Sequence, residues 1–170
     1  MTTIHRKPDI GYIPTPPEVV DVMLTLANVT SDDLLYDLGS GDGRILITAA
    51  QRFGACGVGI DVDRDRIRDA NDNALWAGVA DRVVFHCQDL FESDFSAATV
   101  VILYLLPHLN LRLRPQLFCQ LKPGTRIVSH DFDMSDWEPN CVIQVPTQED
   151  PAMLYRWTVP AKLPAYLQLG

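Results

Sequence analysis

Asp37, Gly39, Gly41 and Gly43 stand at alternate positions in the stretch 34–43, Leu-Leu-Tyr-Asp-Leu-Gly-Ser-Gly-Asp-Gly. An apolar run stops at an acid, glycines follow, and residues 44–51 (Arg-Ile-Leu-Ile-Thr-Ala-Ala-Gln) read as a helix. Strand, glycine-rich turn and helix start make a cradle where backbone N–H groups can meet a polar or anionic ligand. Glycine lets the main chain approach closely and take positive φ. The spacing G-x-G-x-G differs from the G-x-G-x-x-G of dinucleotide-binding turns and lacks the Gly-Lys-Ser/Thr ending of a P-loop. Two more apolar runs end in acids, 56–61 at Asp61 and 83–89 at Asp89. Asp61 lies at the ~20-residue distance where such folds place a carboxylate on a ribose, and its two oxygens suit both ribose hydroxyls. Packing alone explains three acids at three consecutive strand ends poorly. The plainer alternative is that Asp61 and Asp89 cap the helices that follow.

These residues need a sheet to line them up, and the chain alternates strand and helix candidates as a doubly wound parallel sheet does. A first helix is predicted over residues 16–28, opened by the capping-box pattern Thr15-Pro16-Pro17-Glu18. Strand 33–38, helix 43–52, strand 56–61 and helix 63–77 follow, the last stopped by Gly78. Strand 83–89, a weak segment 91–98 and the very apolar strand 99–106 come next. Leu109, Leu113, Leu117 and Leu121 form a helical stripe that reads as core, with Pro115 a point where the helix could divide. Arg112 and Arg114 read as a solvated face. Strand 125–131 precedes two more candidates, 141–145 and 153–159, with no helical pattern between them. A hairpin-like ending with one strand antiparallel to the rest is expected. No repeat, linker or separate substrate domain is visible, so residues 1–170 read as a single domain. A chain this short would have to form any substrate pocket from the N-terminal segment and the loops after the fourth and fifth strands.

Composition narrows the class further. The 170 residues are 47% apolar and 21% charged, an ordinary globular balance. Fourteen basic against 22 acidic residues give a net charge of −8, which disfavours nucleic acid and anionic membrane surfaces. Cys56, Cys87, Cys119 and Cys141 are scattered without metal-ligand spacing and read as reduced thiols, buried where they fall in strands. No apolar run is long enough to span a bilayer, and the first residues lack a signal-peptide core, so a cytoplasmic protein without membrane insertion is expected. His5, His86 and His108 are isolated. His130, Asp131 and Asp133 are close in sequence, but no further ligands stand at metal spacing, and no metal is expected.

With the acid ahead of it, the glycine turn resembles the first motif of Rossmann-like, class I S-adenosylmethionine-dependent methyltransferases. Three segments narrow the likeness: residues 11–18 (Gly-Tyr-Ile-Pro-Thr-Pro-Pro-Glu), residues 36–45, and Ser129-His130-Asp131-Phe132. Together, over residues 9–140, they resemble small bacterial class I methyltransferases. These are related to the mitochondrial lysine methyltransferases of the ATP synthase c subunit and the adenine nucleotide translocase. The resemblance implies a mostly parallel seven-stranded sheet with an antiparallel last strand, and residues 1–15 as a segment over the cofactor. It implies S-adenosylmethionine as cofactor, leaving as S-adenosylhomocysteine. Expected contacts are Tyr12 and Thr15 at the methionine end, with Asp37, Gly39, Ser40, Gly41 and Gly43 around the turn. Asp61 would hold the ribose, Asp89 the adenine amine, and Leu90 would flank the ring, with Val62 a further expected cofactor contact. After the fourth strand the chain reads Tyr104-Leu105-Leu106-Pro107, where amide- and base-methylating enzymes carry Asn/Asp-Pro-Pro-Tyr/Phe. That points away from an amide or adenine and toward an amine that loses its proton in a dry pocket. Tyr104 is expected to shape that pocket, and His130 or Asp131 to orient the acceptor; the bland alternatives are a core aromatic and a satisfied strand-end histidine. The acceptor is expected to be a protein lysine, with a small molecule as alternative. A non-catalytic cofactor binder is the competing class, and a nicotinamide-dependent oxidoreductase fails on the glycine spacing and the missing substrate domain.

Overall fold

A computed structural model describes residues 13–168. Its seven strands are β1 (Leu34–Leu38), β2 (Cys56–Asp61), β3 (Val83–Cys87), β4 (Val100–Leu103), β5 (Arg126–His130), β6 (Cys141–Val145) and β7 (Ala152–Thr158). They lie in the order β3-β2-β1-β4-β5-β7-β6. The first five run parallel, while β7 is antiparallel to both β5 and β6. The expected doubly wound sheet with its antiparallel last strand is therefore present, and β7 inserts between β5 and β6. Strand order reverses between β1 and β4, and open α/β sheets bind ligands outside the carboxyl ends at such a point.

Helices α1 (Pro17–Leu26), α2 (Arg44–Phe53), α3 (Arg64–Trp76), α4 (Pro107–Gln120) and the short α5 (Ala165–Gln168) cover the sheet. Alternation along the strands builds a core on each face. Val100, Ile102, Val128 and Leu154 pack with α1, α2 and α3 on one side. Val101, Leu103, Ile127 and Trp157 pack with Leu113 and Leu117 of α4 on the other.

Local readings needed correction where tertiary contacts overrode them. Thr15 and Glu18 make no capping box: α1 starts at Pro17 with Pro16 as its uncapped N-cap. Four buried side chains, Val19, Val20, Met23 and Leu24, at about 1.5–3 kcal/mol each outweigh a missing cap of about 1 kcal/mol. Pro115 does not divide α4; the fully buried Leu113 and Leu117 around it hold the helix together. Arg114 is buried against Asp136 and the Met134 carbonyl rather than solvated, while exposed Arg112 lies 4.0 Å over the Phe91 ring. The weak segment holds a single 3-10 turn, Leu90–Glu92. Cys56 and Cys87 are exposed rather than buried, because one opens β2 and the other closes β3, which has only one neighbouring strand. Among the described residues no helix is long and apolar enough to cross a membrane.

Candidate active site

The glycine turn leaves the carboxyl end of β1 with Gly39, Gly41 and Gly43 all at positive φ. Its N–H groups are less open than the sequence suggests. Gly39 and Ser40 donate to the Ile60 carbonyl at 2.7 and 3.0 Å, and Gly43 donates to Ser40 at 3.0 Å. Gly41 donates to Asp61 Oδ2 at 2.9 Å. At its glycines the turn thus offers bare backbone surface rather than a row of free donors. At Gly39 an added Cβ would meet only Leu105 Cδ2, at 3.6 Å. Ser40 Oγ, by contrast, is buried without a protein partner, a polar atom that a ligand lying on the turn could satisfy.

Gly43 is there for a different reason. It is the N-cap of α2 at φ 83°, and a Cβ there would stand 2.7 Å from Phe85 Cζ and 3.1 Å from Ala70 Cβ. Gly43→Ala is expected to lower the melting temperature by about 5–10 °C, from strain and overpacking worth about 2–3 kcal/mol. Thermal unfolding followed by circular dichroism reads this.

The three acids reach the same rim by different means. Asp37, in β1, is buried; loss of hydration, then the charges of Asp61 and Asp42, hold its carboxyl well above the usual carboxylate range. Asp61, at the end of β2, braces the turn through Gly41 and accepts from the Asp63 amide at 2.9 Å. Asp63, not Asp61, caps α3. Asp89 lies beyond the end of β3 and caps the 3-10 turn through Phe91 N at 2.9 Å, so capping is part of its role. Val62 follows Asp61 and is 70% exposed, unusual for a large apolar side chain; Leu90 follows Asp89 and is half-buried.

On the other side of the strand reversal stands an aromatic group. Tyr104, just past β4, lies 4.0 Å from the His130 ring and 6.1 Å from Phe132, centroid to centroid. His130, at the end of β5, is only 4% exposed. Its Nδ1 hydrogen-bonds Thr15 Oγ1 at 3.2 Å, and its Nε2 faces Asp131 Oδ1 at 3.6 Å. Burial pushes its pKa down against the upward pull of Asp131, leaving a neutral imidazole at pH 7. Burial, then the Asp131 charge, pushes the Tyr104 phenol up, so it keeps its proton. Asp131 takes the left-handed conformation at φ 65° and exchanges hydrogen bonds with Met153 of β7. The loop beyond is held by α4, whose Asn110 donates to the Phe132 and Asp133 carbonyls.

The structure therefore brings Thr15, Tyr104, His130 and Asp131 together and places the glycine turn with Asp37, Asp61 and Asp89 on the same sheet rim. Tyr12 lies outside the described residues. Sequence reasoning missed Asn110, signalled by an amide on the same helical face as Leu113 and Leu117, and the part played by Arg44. Among the described residues no cluster of His, Cys, Asp or Glu is placed to hold a metal.

The ANTKMT methyltransferase domain matches residues 37–141, well over half of the chain. The chain belongs to the ANTKMT methyltransferase family. A protein-lysine N-methyltransferase of Saccharolobus islandicus is 48% identical over 139 residues, covering 81% of this chain and 86% of that protein. The human lysine N-methyltransferase of the ATP synthase c subunit is 27% identical over 142 residues, and the match covers 84% of this chain but 60% of the human protein. A crystal structure of an RNA methyltransferase from Salinibacter ruber, in complex with S-adenosylhomocysteine, is 56% identical with a TM-score of 0.86. The match covers 90% of this chain and 97% of that one. This ANTKMT-family chain is an S-adenosylmethionine-dependent methyltransferase, and the orphaned Ser40 hydroxyl within the glycine turn fits that cofactor.

Proposed function

We propose that the enzyme methylates a lysine amine of a protein. The observation that carries this reading is the wall of Tyr104, His130 and Phe132 closing on the Asp131 carboxylate at the ends of β4 and β5. An ammonium is drawn to a carboxylate and to aromatic faces, and in a dry surrounding it loses its proton more readily. Only the neutral amine has a lone pair to attack. His130 is shut off from solvent, with Nδ1 bonded to Thr15 and Nε2 turned toward Asp131, so it supports its neighbours, and Tyr104 and Asp131 face the acceptor. Positioning within attack distance then supplies much of the rate. The lysine named for the Saccharolobus and human relatives agrees. The RNA named for the Salinibacter protein fits a chain of net charge −8 less well, since nucleic acid needs cations for its phosphates.

Bound S-adenosylmethionine supplies an electrophilic methyl group on a sulfonium. The same reading assigns its adenosine to Asp61, Asp89, Val62 and Leu90, which line the carboxyl ends of β2 and β3 and the turns beyond. Its methionine end falls to Asp37, Gly39, Ser40, Gly41, Gly43, Thr15 and Tyr12, and Asp37 offers a carboxylate for the ammonium. The site stands at the rim of β1, β2 and β4, where the strand order favours it.

The test is transfer from methyl-labelled S-adenosylmethionine into mixed pools of protein and RNA, followed by hydrolysis to amino acids and nucleosides. Label in methyllysine supports the reading; label in nucleosides alone contradicts it. Asp131→Asn is expected to lower kcat/KM for the acceptor about tenfold, the weight of one charge-assisted contact, with S-adenosylhomocysteine affinity unchanged. Steady-state kinetics with calorimetry reads both.

A further inference from the structure

β4 lies between β1 and β5 in the sheet, and Thr15 bridges across it. Its carbonyl accepts from Arg44 Nη1 at 3.1 Å on the β1 side, and its hydroxyl meets His130 Nδ1 on the β5 side. Arg44 is itself held by two prongs: Nε and Nη2 reach Asp42 Oδ1 and Oδ2 at 3.1 and 2.6 Å. A forked ion pair of this kind fixes direction as well as charge, and Asp42 belongs to the glycine turn. Thr15 is buried between these contacts. On its C-terminal side, Pro16 and Pro17 restrict the backbone, and α1 is anchored by its buried face. Movement of Thr15 away from the rim therefore requires release from Arg44 and His130 and leaves α1 in place.

We propose that Arg44, aimed by Asp42, is a positioning residue that latches Thr15 over the mouth between β1 and β4 and sets the rate at which cofactor enters and leaves. The proposal rests on the cofactor site assigned above. A contact made directly to the ligand would slow only its departure. A latch slows both passage in and passage out, and this difference separates the two roles.

The experiment is stopped-flow measurement of S-adenosylhomocysteine association and dissociation for the unaltered chain, Arg44→Gln, Arg44→Lys and Thr15→Val, with melting temperature recorded for each. Arg44→Gln is expected to speed dissociation about tenfold, the weight of one charge-assisted hydrogen bond, and to speed association as well. Thr15→Val, which loses the bond to His130 and keeps the carbonyl, should move both rates the same way. Arg44→Lys, with a cation but no fork, should recover part of the effect. Rates unchanged in Arg44→Gln, or faster dissociation with unchanged association, would overturn the latch, as would a lower melting temperature with wild-type rates. Absence of binding by the unaltered chain would overturn the cofactor assignment and the latch with it, a failure distinct from the others.

Discussion

Asp61→Ala should weaken S-adenosylhomocysteine binding by about a hundredfold or more while leaving the sheet folded. One of its oxygens takes the Gly41 N–H and the other the Asp63 N–H, each at 2.9 Å. Each oxygen keeps capacity for a further bond, which is where two ribose hydroxyls fit. The substitution removes the ribose partner and frees the turn at Gly41 together. Hydrogen bonds to a charged group contribute about 1.5–3 kcal/mol each, and every 1.4 kcal/mol is about a factor of ten in affinity. Asp63 still caps α3, and the β1–β2 ladder does not involve the Asp61 side chain, so circular dichroism should stay near wild type. Isothermal titration decides it: a loss under about threefold would remove Asp61 from the site.

Asp37→Asn should move stability and binding in opposite directions. Buried and facing the charges of Asp61 and Asp42, Asp37 has a folded-state pKa well above its unfolded value. Between those two pKa values the folded chain holds a proton that the unfolded chain has lost, so stability falls as pH rises through that window. Asparagine has no proton to lose there. The variant should gain about 3–6 °C in melting temperature at pH 8, with little gain at pH 4. A cationic methionine end favours the ionised carboxylate, so wild-type binding should release a proton and tighten as pH rises. The asparagine variant should show neither effect, and its affinity should fall at least tenfold. Calorimetry in buffers of different ionisation enthalpy measures the released proton. A variant less stable at pH 8, or with wild-type affinity, would mean that Asp37 is a structural buried acid.

The glycine turn, the acids at the strand ends and the antiparallel ending were legible because each is local. Apolar runs mark strands, glycine spacing marks the turn, and a missing helical pattern between two runs marks a hairpin. What stayed hidden depends on residues far apart in sequence. Thr15 meets His130 across 115 positions. Asp33, Thr99 and Arg126 form a part-buried knot at the opposite, amino end of the sheet. Thr15 also shows how a correct motif can carry a wrong role. Threonine before two prolines and a glutamate reads as a cap, yet Pro16 takes the cap position and the hydroxyl turns to the rim. The strand read as 99–106 stops at Leu103. Leu105 is as apolar as its neighbours, but it leaves the ladder to pack against Gly39, so composition could not mark the end. Arg114 misled in the other direction: a cation on a helix is usually solvated, and Asp136 and the Met134 carbonyl, 22 and 20 positions away, draw this one inward.

The central claim is that the turn at Gly39–Gly43, with Asp37, Asp61 and Asp89, holds S-adenosylmethionine where the strand order reverses. A crystal of this chain grown with S-adenosylhomocysteine tests it directly. Density should show ribose hydroxyls on Asp61, adenine between Val62 and Leu90 with its amine at Asp89, and the amino-acid end over Gly39 beneath Thr15. Ligand bound elsewhere on the chain, or no ligand at saturating concentration, would contradict it.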